Sequence, residues 1–596
     1  MTDILLTGAE EIAWNLGDLY FGMDDPQIDA DLDACDAEAA AFSGAYRGRV
    51  AELSAAGLAT LIARYEALGD RAGRIGSFAS LNWTQNTEDP ARGALLQRIT
   101  ERGSRLSQEM VFLELELAAA PDETAAAWLA DPALAHWRHW LEVVRIFKPH
   151  LLSEPEEKLL TEKSVTGAAA WGRFFDESHG AARYELDGEQ LTRDQALSKL
   201  YSQDRALRRR AATAITTGLK AMQRTNTYIF NTLAADKASD DRLRSFPTWI
   251  SGRNLGNQVD DRTVEALIDA VTSRYDIVAR YYRLKRRLLG LEELFDYDRY
   301  APLPAADRFY SWEQAQQIVL EAYGRFHPRM AEVAGRFFEG RWIDAPPRPG
   351  KMGGAFSHGT VPSVHPYILL NFEAKPRDVM TLAHELGHGV HQTLAGVQGV
   401  LLADTPLTTA ETASVFGEML VFQELMARES DPATRLGMLT GKIEDSFATA
   451  FRQISMNRFE HAMHTARREE GELTTERFGE LWLATQRAMF GDSVAMSEDY
   501  GLWWSYVPHF LSTPGYVYAY AFGELLVLAL YARYQQEGGD FPERYIAMLT
   551  AGGSDWPHEI VKPLGVDLTD PGFWADGLTI LEGMVAEAEQ LADSLA

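Results

Sequence analysis

The chain has 596 residues, 46% hydrophobic and 24% charged, the balance of an ordinary globular protein with ample material for a large core. Its 57 basic and 86 acidic residues leave a formal net charge of −29, a field that repels nucleic acid and anionic membrane surfaces and argues against both as partners. The single cysteine, Cys35, excludes an intrachain disulfide; this fits a reducing compartment, and with no basic stretch leading into a long apolar core near residue 1 the expected address is the cytoplasm.

Helical periodicity dominates. Segments rich in Ala, Leu, Glu and Arg cover roughly 28–145, 204–240, 260–290 and 311–340,. Between the first two, ARYELDGEQLT (182–192) reads as a β-hairpin turning at Asp187-Gly188,. Val264, Leu267, Ile268 and Val271 fall on one helical face, as do Val319, Ala322, Tyr323 and Phe326. Ser311 with Gln314 forms a capping box ahead of the latter run.

The texture changes after residue 340. Pro346, Pro347, Pro349, Gly350, Gly353 and Gly354 break helix, and HPYILLNF (365–372) predicts a short apolar strand,. Gly353, Gly354 and Ala355 carry little side chain. They suit either an added pairing with an extended peptide or a plain turn. Pro376 and Asp378 then open a helix that Gly396 and Gly399 close, and Thr408 or Thr409 is positioned to cap the next one,. Further on, Val517–Tyr534 is the most apolar run, but it carries Glu524 and falls short of a ~20-residue span, which predicts a buried helix rather than a membrane segment.

The helix opened by Pro376 holds TLAHELGHGVHQTLAG (381–396). His384 and His388 are four residues apart, so both imidazoles lie on one face and can reach a single ion. Glu385, one residue round from His384, can flank that ion without ligating it and act as a base. His391 follows His384 by two turns, a rise of about 10 Å, which is too far for both to share one ion; it suits a packing or supporting role. The longer HExxHxxGxxH pattern fails, because position 391 is His and position 394 is Leu,. A third ligand must come from elsewhere, and Glu411 and Glu418 on the next predicted helix both qualify for a His2Glu set. A chance HExxH in a chain with 14 histidines has a probability of roughly a few per cent.

GGAFSHG (353–359), HPYILLNF, RDVMTLAHELGHGVH (377–391), AETASVFGE (410–418) and PHFLSTPGYVYAYAFGELL (508–526), taken in order, resemble the oligoendopeptidase F branch of the thimet-oligopeptidase metallopeptidase family. The resemblance covers about 200 to 580, and extends more weakly to that family's helical N-terminal domain. It implies a mainly α fold: a zincin-type helical ellipsoid with a small β-sheet near the active site and a deep central channel. The expected division is a helical N-terminal domain over 1–195 and a catalytic zinc metallopeptidase domain over 196–596.

The resemblance further implies a zinc-dependent oligoendopeptidase acting on short peptides. It would hold one Zn2+ per chain on His384, His388 and Glu411, with Glu385 as general base. The family places its third ligand in an E-x-x-S element, here Glu411 to Ser414, which favours Glu411 over Glu418. His509 and Tyr520 match the family's histidine and one of its tyrosines, which hold the oxyanion. For the second tyrosine the sequence departs from the family: after His509 it reads FLSTPG, so Tyr516, or else Tyr518, must substitute. The alternatives are a zinc exopeptidase and a non-catalytic zinc-containing peptide-binding protein. The oligomeric state stays open.

Overall fold

The computed structural model describes residues 6–303 and 308–595. Among the described residues helices dominate, with two small sheets. The chain divides into two compact units, each assembled from three stretches: Met1–Lys148, Asp307–Arg428 and Arg533–Asp567 in the first, and Pro149–Ala306, Glu429–Ala532 and Leu568–Ala596 in the second.

In the first unit the expected helical stretch near 28–145 is broken by polar turns. The longest pieces are Pro26–Tyr46, Ala55–Gln85 and Pro90–Met110. Two of these begin with proline in the first turn behind an aspartate cap, Asp25 or Asp89, an arrangement that removes an N–H with no helical partner and satisfies another. Their apolar faces build one core with Phe42, Leu61, Phe78 and Leu113, which also takes in Tyr367 and Leu369. Ser311 and Gln314 cap the helix Trp312–Phe326 as predicted, and His327-Pro328 separates it from Pro328–Glu339.

In the second unit the hairpin forms as read. Strands β1 (Tyr184–Leu186) and β2 (Glu189–Leu191) pair antiparallel, and Asp187 and Gly188 both take positive φ, 53° and 89°, the tight turn that strand twist prefers. The long helix Arg205–Leu243 packs into an aromatic core in which Phe230, Phe478 and Trp504 meet ring against ring. The helix Tyr518–Glu537 occupies the apolar run, and its residues up to Ala532 are mostly buried. Glu524 within it accepts a hydrogen bond from the Ser446 hydroxyl at 2.6 Å, which is how a charged group is accommodated there. No helix among the described residues is long and apolar enough to cross a membrane.

The sheet that matters for the site lies in the first unit. Strand β5 (Tyr367–Leu369) is central, with β3 (Ile343–Asp344) parallel on one side and β4 (Phe356–His358) antiparallel on the other. This is the strand predicted from HPYILLNF, fully buried as its apolar run requires. Strand β4 is therefore an edge. Gly354 just before it has φ +81°, so the Gly353-Gly354 pair serves a turn.

Candidate metal centre

The motif helix runs Pro376–Ala395. Its start is fixed by Asp378, whose Oδ2 accepts the backbone N–H of Glu373 at 2.8 Å and of Lys375 at 2.9 Å. Gly396 ends it and Gly399 turns the chain at φ +80°. The helix packs closely on a second one, Thr412–Arg428. Gly387 allows this approach, because a Cβ there would stand 2.4 Å from the Ala413 carbonyl oxygen and 2.6 Å from the Ser414 Cα. Tyr323 fastens the motif helix from another side, donating to the Ala383 carbonyl at 2.5 Å.

The cap expected at Thr408 or Thr409 does not form. Both residues lie before the second helix, inside a separate short one, Leu407–Ala410. Glu411 sits at the junction of the two, φ −81° and ψ −1°. It is thus placed by a break in the helix rather than by a helical face shared with Glu418.

The geometry joins the three side chains the sequence singles out. His384 Nε2 and His388 Nε2 each stand 3.4 Å from Glu411 Oε2, and one donor atom from each residue lies within 4.8 Å of the others. A tetrahedral ion with ligands at about 2.1 Å would hold them about 3.4 Å apart, and two imidazole nitrogens with a carboxylate oxygen form a known zinc donor set. The residues therefore fit a divalent metal.

Supporting groups surround them. The Ser414 hydroxyl donates to Glu411 Oε2 at 2.7 Å. Burial works against charge on Glu411, but the hydrogen bond and charge of His388, the charge of His384 and the Ser414 hydroxyl outweigh it and bring its carboxyl down to about 2. Burial likewise opposes charge on His384, yet the hydrogen bond of Glu418 and the charges of Glu411, Glu418 and Glu385 push its imidazole up to about 9. Two imidazoles facing this much carboxylate in one recess form a strongly cation-seeking arrangement.

Glu385 is buried beside the trio. Burial raises its pKa, opposed by the charges of His384 and His388 and by the nearby Ser357 backbone N–H of β4. A carboxylate held above its ordinary range is a better proton acceptor. His391 is buried and not among the converging donors; burial, with the charge of His388, brings its ring down to about 4, so it packs as a neutral imidazole.

The late segment gathers in the second unit. His509 begins the short helix His509–Ser512. Its ring is 6.2 Å from those of Tyr516 and Tyr520, which meet edge to face at 4.9 Å. Tyr518 stays outside this group: it is buried, with its hydroxyl accepting from Asn257 Nδ2 at 2.9 Å.

Sequence reasoning missed Tyr323, the close approach at Gly387 and the Ser357 N–H. The one available signal was the row of small residues in the motif helix, Gly387 and Gly389, where side chains are expected on a packed face.

Residues 198–580 match the model of Peptidase family M3 and residues 116–184 that of Oligopeptidase F. The chain is 27% identical over 558 residues to oligopeptidase PepF of Bacillus subtilis, covering 92% of this chain and 82% of that protein. Among solved structures it resembles oligoendopeptidase-F from Enterococcus faecium, with TM-score 0.72, 23% identity and coverage of 96% and 99%. A Chlamydophila abortus protein matches with TM-score 0.87, 22% identity and coverage of 98% and 100%. These two likenesses bear on the fold alone. The family model, spanning well over half the chain, carries the assignment: the chain belongs to peptidase family M3 and is a metalloendopeptidase of its oligoendopeptidase F branch.

Proposed function

We propose that the chain hydrolyses internal bonds of short peptides with one zinc ion held by His384, His388 and Glu411, and with Glu385 as general base. The observation that carries this reading is the approach of both imidazole Nε2 atoms to one Glu411 oxygen, at 3.4 Å each, beside a buried carboxyl that ligates nothing. When bound, the ion supplies a Lewis acid and brings the pKa of a water down towards ~7.

Glu385 takes a proton from the attacking water. Its raised pKa suits it to hold that proton and then deliver it to the leaving amine,. His388 and His384 present Nε2, and Glu418 on Nδ1 of His384 fixes that ring's direction,. The role the resemblance implies for His509, Tyr520 and Tyr516, holding the oxyanion, belongs to the same proposal. It is supported by the gathering of the three rings and by the exclusion of Tyr518 from them.

A division near residue 195 rests on the gap between the two family models, from 184 to 198; the compact units divide elsewhere, and Pro149–Ala306 runs through that point. A cytoplasmic address rests on the lone buried cysteine, Cys35,. The acidic charge of −29 speaks against nucleic acid as a partner,.

The test is digestion of a peptide library read by mass spectrometry, with both termini blocked in half the pool. Internal cleavage of blocked peptides, abolished by chelator and restored by zinc, is the expected result. Cleavage restricted to free termini would overturn the endopeptidase reading.

A further inference from the structure

The helix Phe451–Glu469 of the second unit buries a carboxyl that the proposed chemistry does not use. Glu460 is completely buried. Its Oε1 accepts the N–H of Gly515 at 2.8 Å, while Oε2 is buried with no hydrogen-bond partner. Burial pushes its pKa up to about 8, against Arg253 and the Gly515 N–H. At neutral pH it is thus a neutral acid whose polar duty is to accept that one bond. A leucine would fill the same space without the desolvation cost of a carboxyl, so the contact with Gly515 is where its purpose lies.

Gly515 belongs to a turn held from several directions. Arg253 Nε donates to the preceding carbonyl, Pro514, at 3.3 Å. The Tyr516 N–H closes the turn on the Thr513 carbonyl at 3.1 Å. Asn257 holds the Tyr518 hydroxyl at 2.9 Å. Gly515 itself has φ +74°, and a Cβ there would press on Ile250 Cγ1 at 3.1 Å. The single peptide group joining Pro514 to Gly515 is therefore clamped from both sides, its N–H by a carboxyl and its carbonyl by a guanidinium. The next residue is Tyr516, whose ring lies edge-on to Tyr520 at 4.9 Å and parallel to that of His509 at 6.2 Å.

We infer that Glu460 is the positioning residue of the His509–Tyr516–Tyr520 group, acting through the Gly515 peptide to set the Tyr516 ring. The inference rests on the reading in which that group takes part in catalysis. Arg253 is its counterpart on the Pro514 carbonyl.

The test compares Glu460→Leu, Glu460→Gln and Arg253→Met in the full chain, with Tyr520→Phe and His509→Ala as references. Readouts are kcat and KM on a blocked peptide, bound metal, and hydrogen exchange of the peptide spanning 512–518. Glu460→Leu fills the space without an acceptor, so exchange should quicken. kcat should fall by about ten- to a hundredfold, the cost of displacing a catalytic group by 1 Å or so, with KM and metal content nearly unchanged. Glu460→Gln keeps an acceptor and should restore both. Should Glu460→Leu not fold, Arg253→Met, which frees the carbonyl side of the same peptide group, is expected to show the same pairing of faster exchange and lower kcat. Wild-type exchange or wild-type kcat in the folded Leu variant, while Tyr520→Phe and His509→Ala are slow, overturns the positioning role alone. Wild-type rates in Tyr520→Phe and His509→Ala remove the catalytic role of the group, and the inference with it.

Discussion

His384 Nδ1 stands 3.3 Å from Glu418 Oε2, while Nε2 of the same ring stands 3.4 Å from Glu411 Oε2. The two nitrogens thus have different carboxylates, one on each side of the ring. A carboxylate on the far nitrogen fixes the tautomer, directs Nε2 at the ion and raises its basicity. Glu418→Gln is expected to keep the fold and lower metal affinity about 10- to 100-fold, the usual cost of losing such a partner. Competition with a calibrated chelator measures it, and an unchanged affinity would deny Glu418 this role.

Glu385→Gln separates binding from chemistry. The three proposed ligands are untouched and the amide is nearly isosteric, so zinc and peptide should bind as before. Turnover should fall by at least about 100-fold, the lower range for a general base. Calorimetry with an uncleaved peptide and rate measurement on the same sample decide the matter; a near-normal rate removes Glu385 as the base.

Gly387→Ala attacks the site through the backbone. The new Cβ would meet the Ala413 carbonyl oxygen and the Ser414 Cα at 2.4 and 2.6 Å. Neither is a side chain that can swing aside, so the Thr412–Arg428 helix must shift. A stability loss of about 1–3 kcal/mol is expected from overpacking. Because Ser414, whose hydroxyl donates to Glu411, sits at that contact, metal occupancy should fall as well. Gly441→Ala, with nothing within 4 Å of its added Cβ, is the control. Thermal melts with metal analysis on both variants check this.

Glu460 gives stability a pH dependence of known sign. Its pKa, about 8 in the folded chain, lies above the reference value of 4.5, so the folded state keeps a proton that the unfolded chain releases. This contribution is complete below about pH 4.5 and is lost as pH rises through about 8. At about 1.4 kcal/mol per unit, the rise from 4.5 to about 8 spans on the order of 5 kcal/mol,. Melting temperature should therefore decline between about pH 5 and about pH 8 more steeply in the wild type than in Glu460→Gln,. Parallel profiles would show that the group does not titrate there.

Much of the site was legible because its signals are local. The spacing of His384 and His388 needs only helical periodicity, and Asp187-Gly188 announces its own turn. Other features depend on contacts that no local pattern encodes. Glu411 was expected on a continuous helix with Glu418, yet the break after Ala410 sets its direction. The Ser357 N–H lies near Glu385 because β4 passes beside the motif helix, which follows from sheet order rather than from either segment. Tyr323 reads as one more apolar position in its helix, and it is also buried there; only its hydroxyl, bonded to Ala383, separates packing from support.

The first compact unit includes Arg533–Asp567 along with two much earlier stretches. During synthesis, its opening 148 residues leave the ribosome long before that last stretch exists, by about 20–80 s at ordinary elongation rates. Until the later stretches emerge, the core these helices build among themselves lacks Tyr367, Leu369 and Leu402, so part of its apolar surface stays uncovered. The nascent polypeptide should therefore depend on chaperones in proportion to translation time, and slowing elongation should lower the yield of active enzyme.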